Sequence, residues 1–207
     1  MKKTVISLAA VAILTPMILQ AGGVGVYIPY SIGQKTSSTY YAENELVTPN
    51  RTYDTNLKDK PGIGFAFATN LGKESMTGYK LGLEYTNPEG EFDPSSGSMI
   101  NILNTLEFGV YSNDFVRLWI GPRINVGYAW YDNNGYSEGG VELGIAPATG
   151  VNVNLAGNVS ITFDIDYKFA WQGGSVSGSR YSSYTSSPTG MTARLGVMYR
   201  FGEEDEY

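Results

Sequence analysis

The sequence predicts an all-β protein that folds as an eight-stranded antiparallel up-and-down β-barrel, and three observations lead to this prediction. Apolar and polar residues alternate in short runs along the chain after residue 22, with no window of amphipathic helical period. The runs number eight, and the connections between them are alternately long and short. Hairpin-connected strands of even number can close into a barrel that carries different connections at its two ends.

The clearest run is ITFDIDYKFAW, residues 161–171, in which apolar side chains alternate without a break with Thr, Asp, Lys and Ala. A strand with this sequence has one apolar face and one charged face. In chain order, the apolar faces of the eight predicted strands are Val24, Val26, Ile28, Tyr30, Ile32; Ile63, Phe65, Phe67; Tyr79, Leu81, Leu83, Tyr85; Ile100, Ile102, Leu106, Phe108, Val110; Val116, Leu118, Ile120, Ile124, Val126, Tyr128, Trp130; Val141, Leu143, Ile145, Val151, Val153; Ile161, Phe163, Ile165, Tyr167, Phe169, Trp171; and Met191, Ala193, Leu195, Val197, Tyr199, Phe201.

The connections at the two ends of the predicted barrel differ in length. The long connections are 34–60, 87–98, 132–139 and 173–188, and the short ones are 71–77, 112–114 and 156–158. Bacterial outer-membrane barrels have this asymmetry, with long extracellular loops and short periplasmic turns. An even number of strands then puts both chain termini at the periplasmic end.

The polar face distinguishes a water-soluble barrel from a transmembrane one. A soluble barrel presents a solvated face rich in Lys, Glu, Ser and Thr, whereas small residues dominate here. Small residues suit the crowded interior of an eight-stranded barrel, which is just wide enough for side chains. They are Gly25, Gly64, Ala66, Ala68, Gly82, Gly121, Gly127, Ala129, Gly144, Ala146, Ala148, Gly150 and Gly196.

The charges on this face are nearly balanced, which favours a buried network because an unpaired buried charge costs several kcal/mol. The predicted lumen charge network is Lys80, Glu84, Glu107, Arg117, Arg123, Glu142, Asp164, Asp166, Lys168, Arg194 and Arg200. The two aspartates could hold a cation or relay protons, but we favour acceptance from arginines across the barrel. We expect this network to plug the lumen.

One pairing within the network can be predicted from the position of a turn. With the turn centred near Ser112 and Asn113, Glu107 and Arg117 fall at matching heights on neighbouring strands. We therefore expect these two residues to form a salt bridge.

Aromatic residues on the apolar face lie near the strand ends, and no charged residue falls on that face. Two such belts are typical of the girdles at membrane interfaces. The predicted aromatic girdle is Tyr30, Tyr85, Tyr128, Trp130, Tyr167 and Trp171 at the loop ends, with Tyr79, Tyr199 and Phe201 at the turn ends. The apolar face is thus expected to contact lipid, which predicts transmembrane β-strands in the cell envelope of a Gram-negative bacterium.

The N-terminus has the pattern of a signal peptide: two lysines, an apolar run from Val5 to Leu19, and small residues up to a cleavage site after Ala21. The predicted domains are the signal peptide at 1–21, the transmembrane β-barrel at 22–201 and an acidic C-terminal tail at 202–207. The chain has no cysteine, which excludes disulfides and thiolate metal sites. Without Lys2 and Lys3 the formal charge of −6 becomes −8, and no basic cluster suggests nucleic acid as a partner.

The architecture and the final strand, MTARLGVMYRF, resemble the small eight-stranded bacterial outer-membrane barrels of the OmpA transmembrane-domain and OmpX type, over residues 22–201. In such families an alternating last strand that ends in Phe is a signal to the barrel-assembly machinery. The resemblance implies that machinery as a partner during biogenesis. Here GEEDEY follows Phe201, so the aromatic residue is not the last one.

The sequence predicts no enzyme, because barrels that act on lipids or peptides generally use a histidine and this chain has none. We identify no catalytic residue, cofactor or metal site. The prediction is a monomeric outer-membrane protein in lipid and lipopolysaccharide, with a structural or surface-interaction, adhesin-like role. The long, mixed loop 34–60 and the loop 173–188, which is rich in Ser and Tyr, are candidates to bind a surface or glycan ligand. The alternative is a narrow channel for ions or small solutes.

Overall fold

The structure is a computed structural model that describes residues 22–42, 49–69, 76–89, 96–133, 136–155 and 158–201. The predicted signal peptide at 1–21 and acidic tail at 202–207 lie outside these residues, so the domain bounds stay predictions. Across the described ranges, no helix is long and apolar enough to cross a membrane.

The described strands form one antiparallel sheet that closes on itself, because β1 pairs with β9. This confirms the predicted up-and-down barrel. The strands are β1 (Gly23–Ala42), β2 (Arg51–Asn56), β3 (Ile63–Ala68), β4 (Thr77–Thr86), β5 (Ser96–Ser112), β6 (Val116–Asn133), β7 (Tyr136–Asn154), β8 (Val159–Ser177) and β9 (Tyr181–Arg200).

These strands occupy eight positions around the barrel. β3 pairs with β1 from Gly23 to Tyr27, and β2 pairs with β1 from Lys35 to Tyr40. β2 and β3 therefore lie one above the other beside β1 and share a single position in the wall. The number of strand positions is the predicted eight.

The predicted extents of the long loops are wrong. The range 34–60 contains the end of β1 and all of β2, and the range 173–188 contains the end of β8 and the start of β9. The prediction ended each strand where apolar alternation ended. Beyond that level both faces of a strand meet water, and Thr and Tyr continue the ladder through their β-propensity and cross-strand bonds. Thr39 and Thr52, for example, hydrogen-bond through their hydroxyls at 2.9 Å.

A one-residue bulge in β1 reverses which side chains face the lumen. The pairing with β9 shifts between Ile32 and Lys35, where Gly33 has a φ of 57°. Below the bulge odd-numbered residues such as Tyr27 face inward, and above it even-numbered residues such as Tyr40 do. The bulge thus turns Tyr40 into the mouth of the barrel.

The outer face of the barrel is a continuous apolar band. Ile124, Leu143 and Ile145, in the middle of β6 and β7, have relative exposures of 53%, 55% and 54%. Among the described residues no charged side chain lies on this face between the two groups of aromatic residues. Such a surface fits a bilayer, since soluble proteins rarely expose apolar patches above a few hundred Å².

Glycines on the inner face make room for two buried aromatic side chains. A Cβ on Gly64 would lie 2.3 Å from Tyr27 Cζ, and a Cβ on Gly150 would lie 2.6 Å from Trp119 Cζ2. Tyr27 and Trp119 are buried in the lumen, at 4% and 1% exposure. The small residues of the inner face are therefore needed for packing, as expected of a crowded lumen.

We expect Gly64→Ala to lower the free energy of unfolding by about 1–3 kcal/mol, because the added methyl group overlaps the Tyr27 ring. Gly173→Ala is the control: its Cβ would meet nothing closer than 3.9 Å, so stability should be unchanged. Urea unfolding in lipid vesicles, followed by tryptophan fluorescence, measures both. Equal stability of the two variants would contradict the inward placement of Tyr27.

Candidate functional site: a charged lumen below a tyrosine-lined mouth

The central part of the lumen holds six charged side chains from four strands. Lys80 and Glu84 come from β4, Arg123 from β6, Asp164 and Asp166 from β8, and Arg194 from β9. In the sheet order three strand positions separate β4 from β8 in either direction, so these strands face each other across the barrel. Contacts between them span the full width of the lumen.

Asp164 is the residue at which these charges meet. Its Oδ2 accepts from Lys80 Nζ at 2.8 Å. Its Oδ1 lies 3.0 Å from Arg123 Nη1 and 3.4 Å from Arg194 Nη1. One carboxylate therefore joins three cations from three other strands.

Asp166 and Glu84 complete this group, which we call the central cluster. Arg123 Nη1 donates to Asp166 Oδ2 at 2.5 Å, and Arg194 donates to both Asp166 and Glu84. Both arginines thus reach the aspartates, as the sequence predicts. Three cations and three carboxylates give a neutral set, and Asp164 is only 1% exposed. Charges this deeply buried are stable only when paired, so the six groups constrain one another.

The remaining residues of the predicted network lie above and below the central cluster. Glu142 accepts from Lys168 Nζ at 2.8 Å and from Asn125 Nδ2 at 2.8 Å. At the periplasmic end, Arg200 Nη2 donates to the backbone carbonyl of Leu155 at 3.5 Å. The structure thus divides the predicted network into separate groups.

The predicted pair of Glu107 and Arg117 is present, but the predicted register is wrong. Arg117 Nη1 lies 2.5 Å from Glu107 Oε2, while its backbone lies opposite Ser112. The turn is formed two residues later than expected, and a bulge between Gly109 and Tyr111 reverses this displacement by only one residue. The long arginine side chain spans the resulting offset between the two residues.

Several side chains that support the central cluster were not predicted. Thr105 Oγ1 accepts from Arg123 Nε at 2.8 Å, and the Tyr27 ring lies 5.7 Å from Lys80 Nζ. Outside the central cluster, Asn125 was not predicted either, and it donates a hydrogen bond to Glu142. All three lie on the inner face of their strands, so alternation could have found them. The prediction considered only small and charged residues on that face.

The nine residues of the predicted girdle lie on the outer face, exposed or half-buried. Some of them contact each other: the rings of Tyr128 and Trp130 lie 6.1 Å apart, and those of Tyr199 and Phe201 lie 5.7 Å apart. Their alignment with the membrane interfaces stays a prediction.

A small cavity of about 70 Å³, which we call the vestibule, leads from the extracellular end to the central cluster. Lys58 and Pro88 line its outer part, and Arg123, Asp166 and Arg194 line its inner part. At its rim Glu89 accepts from both Lys58 and Lys60. These lysines lower the pKa of the Glu89 carboxyl to about 2, so the carboxylate is ionised above that pH and the rim contact holds while the lysines are protonated.

A second cavity lies in the mouth of the barrel, where β1, β2, β7, β8 and β9 extend beyond the apolar band. This tyrosine cleft measures about 420 Å³ and is lined by Ser38, Tyr40, Tyr53, Thr55, Tyr136, Glu138, Val176, Ser179 and Tyr181. Tyr184 separates it from the vestibule: its ring stacks on Tyr40 at 5.9 Å, and its hydroxyl accepts from Gln172 at 2.7 Å.

We expect Asp164→Asn to lower the free energy of unfolding by about 3 kcal/mol, because it leaves three buried cations with two carboxylates. Adding Lys80→Met should restore much of this loss, since the remaining charges balance again. Asp54→Asn, at an exposed position of β2, is the matched control and should change stability by less than about 0.5 kcal/mol. Urea unfolding in vesicles gives the three values. A double variant no more stable than Asp164→Asn would contradict charge balance as the cause.

Among the described residues, no group of three or more His, Cys, Asp or Glu side chains is arranged to hold a metal ion.

Comparison with known proteins supports the fold. No protein-family model matches the chain, and no curated protein sequence does. The crystal structure of the outer membrane protein OprG from Pseudomonas aeruginosa is similar, with a TM-score of 0.57 at 13% identity, over 88% of this chain and 98% of that chain. So is the outer membrane protein AlkL in DMPC lipid bilayers, with a TM-score of 0.56 at 11% identity, over 91% of this chain and 94% of that chain.

At these identities the likeness concerns the fold, and it confirms the expected resemblance at that level. The closed antiparallel barrel, its apolar outer band and its charged interior agree with both structures being outer-membrane proteins. The chain has the fold of the small outer-membrane β-barrels.

Proposed function

We propose that the protein is a structural and surface-interaction protein, adhesin-like in its role, which acts through the mouth of its barrel. The observation that supports this most is that the interior has two parts, a lumen filled by charged side chains and an open cleft at the extracellular end. The central cluster fills the lumen at membrane depth, while the strands continue outward to form the tyrosine cleft. The part of the molecule able to meet a ligand is thus its extracellular end.

The closed lumen supports a surface role over a through-channel. The vestibule reaches Arg123, Asp166 and Arg194, and these side chains are 2–5% exposed. Below them the ring of Trp119 and the pair of Glu107 and Arg117 fill the barrel. An ion entering from outside would have to displace paired charges, which is energetically costly.

The rigidity of the mouth supports binding. β1 and β9 remain paired as far as Ala42 and Tyr181, and β7 and β8 as far as Ser137 and Ser177. Hydrogen-bonded hairpins lose less conformational entropy on binding than loose loops do. Tyr and Ser side chains on such a frame provide broad contact area with adaptable hydrogen bonds.

The other expected partners follow from the location. We propose outer-membrane lipid and lipopolysaccharide around the barrel, the barrel-assembly machinery during biogenesis, and a monomeric state. We also propose no enzymatic activity, because the 207-residue sequence contains no histidine to act as a general base near neutral pH.

A second candidate function is the passage of small solutes, and a defect in the barrel wall favours it. The pairing of β7 with β8 is interrupted between Ile145 and Ala148, because Pro147 has no backbone N–H to donate. A groove of about 930 Å³ lies on the outer face there. Arg123, Ala146 and Asp166 line both this groove and the vestibule, so one thin stretch of wall separates them.

We expect the double variant Tyr53→Ala/Tyr181→Ala to reduce attachment of expressing bacteria to a cultured epithelial monolayer by several-fold, since it removes two cleft side chains. Tyr41→Ala is the matched control, because Tyr41 is exposed on the outer side of the same extension and does not line the cleft. Heat-modifiable gel migration shows that each variant folds. Unchanged attachment by the double variant would contradict the surface role and favour solute passage.

A further inference from the structure

We propose that the tyrosine cleft binds a quaternary ammonium group of the choline type. This inference rests on the proposed surface role and adds the chemical class of the ligand. Three properties of the cleft support it: the arrangement of its rings, the sign of its charge and the way its walls are held.

The rings form a concave aromatic wall. The Tyr40 ring lies 5.9 Å from the Tyr53 ring at an angle of 72°, and 5.8 Å from the Tyr181 ring at 52°. Three rings in three different planes bound one side of the cleft, and Tyr136 lines another. The face of an aromatic ring carries negative charge density and attracts a cation within about 6 Å of its centre.

The one charged side chain among the described residues that line the cleft is an anion, while Arg51 lies outside the lining and donates to the Tyr53 hydroxyl at 3.5 Å. This anion is Glu138, and the hydroxyl of Tyr40 donates to it at 3.4 Å. Burial and the nearby carboxylate raise the pKa of Tyr40 well above its usual range, so its phenol stays neutral. Anionic ligands such as phosphates or sulfated sugars would meet repulsion from Glu138.

The difference in hydration between primary and quaternary ammonium groups indicates which kind of cation the cleft binds. A primary ammonium must replace three strong hydrogen bonds to water when it enters a site. The cleft offers four tyrosine rings beside the hydroxyl groups of Ser38, Thr55 and Ser179, and its carboxylate already accepts from Tyr40. A quaternary ammonium donates no hydrogen bonds and is weakly hydrated, so ring faces are sufficient to bind it.

The aromatic wall of the cleft is supported by side chains deeper in the barrel. Tyr184, at 3% exposure, stacks on Tyr40 and is fixed by Gln172. Tyr40 is also paired in the backbone ladder with Arg51 on one side and Tyr184 on the other. The cleft therefore needs little rearrangement on binding, which lowers the entropic cost.

The test uses the full chain in a non-ionic polyoxyethylene detergent, which contains neither choline nor sugar. Titration with choline chloride, followed by calorimetry and by tyrosine ring resonances, should show saturable binding. The uncharged isostere 3,3-dimethylbutanol has the same shape and should bind at least about ten-fold more weakly. Equal binding of the isostere, or no binding of choline, would overturn the proposal.

Three variants locate the site. Tyr53→Ala should weaken choline binding about three-fold, the effect of one partly exposed ring. Glu138→Gln should weaken it by several-fold at low salt and by less at high salt. Tyr41→Ala, outside the cleft, should leave binding unchanged. Equal affinity of Glu138→Gln and the wild type at low salt would overturn the proposal.

The same variants separate this inference from the proposed function. If choline does not bind but Tyr53→Ala/Tyr181→Ala still loses attachment to cells, the inference is overturned and the surface role stands. If choline binds at the cleft but the double variant attaches normally, the inference is upheld and the surface role is contradicted.

Discussion

The structure depends most on the contacts that a single buried carboxylate makes across a closed sheet. Asp164 on β8 binds Lys80 on β4, Arg123 on β6 and Arg194 on β9, and so ties together opposite walls of the barrel. Among the residues that the structure describes, the large apolar side chains of this barrel lie mostly on its outer face, so only a small apolar cluster around Tyr27 and Met198 packs inside. Paired charges in the lumen take the place of a large apolar core, and their mutual neutrality makes burial tolerable.

The rest of the interior follows from this constraint. Long charged side chains need space, and Ala146 and Ala148 on β7 provide it near Asp164 and Asp166. Gly64 and Gly82 likewise allow the Tyr27 ring to lie close to the wall, 5.7 Å from Lys80 Nζ. The interior is thus packed by alternation of very small and very large side chains, and the solvated cavities lie above the central cluster.

The alternation of apolar and polar residues predicted which side chains of the central strands face the lumen. It did not predict features that depend on bulges and turn positions in the backbone. The inward placement of Lys80, Asp164 and Arg194 follows from alternation alone. The position of Tyr40 in the mouth does not, because the bulge at Gly33 reverses the alternation and short-range pattern does not reveal it. β2 was missed because RTYDTN has no apolar face. The offset of Arg117 was missed because the turn after β5 forms two residues later than the pattern indicates.

The central claim is that paired charges close the lumen while the ligand-accessible surface lies in the mouth. Single-channel recording in planar lipid bilayers tests this claim most directly. If paired charges close the lumen, the wild-type barrel should show no stable conductance. Replacing both Asp164 and Arg194 by alanine should then produce brief openings. A stable, porin-sized conductance of the wild type, unaffected by these replacements, would contradict the claim.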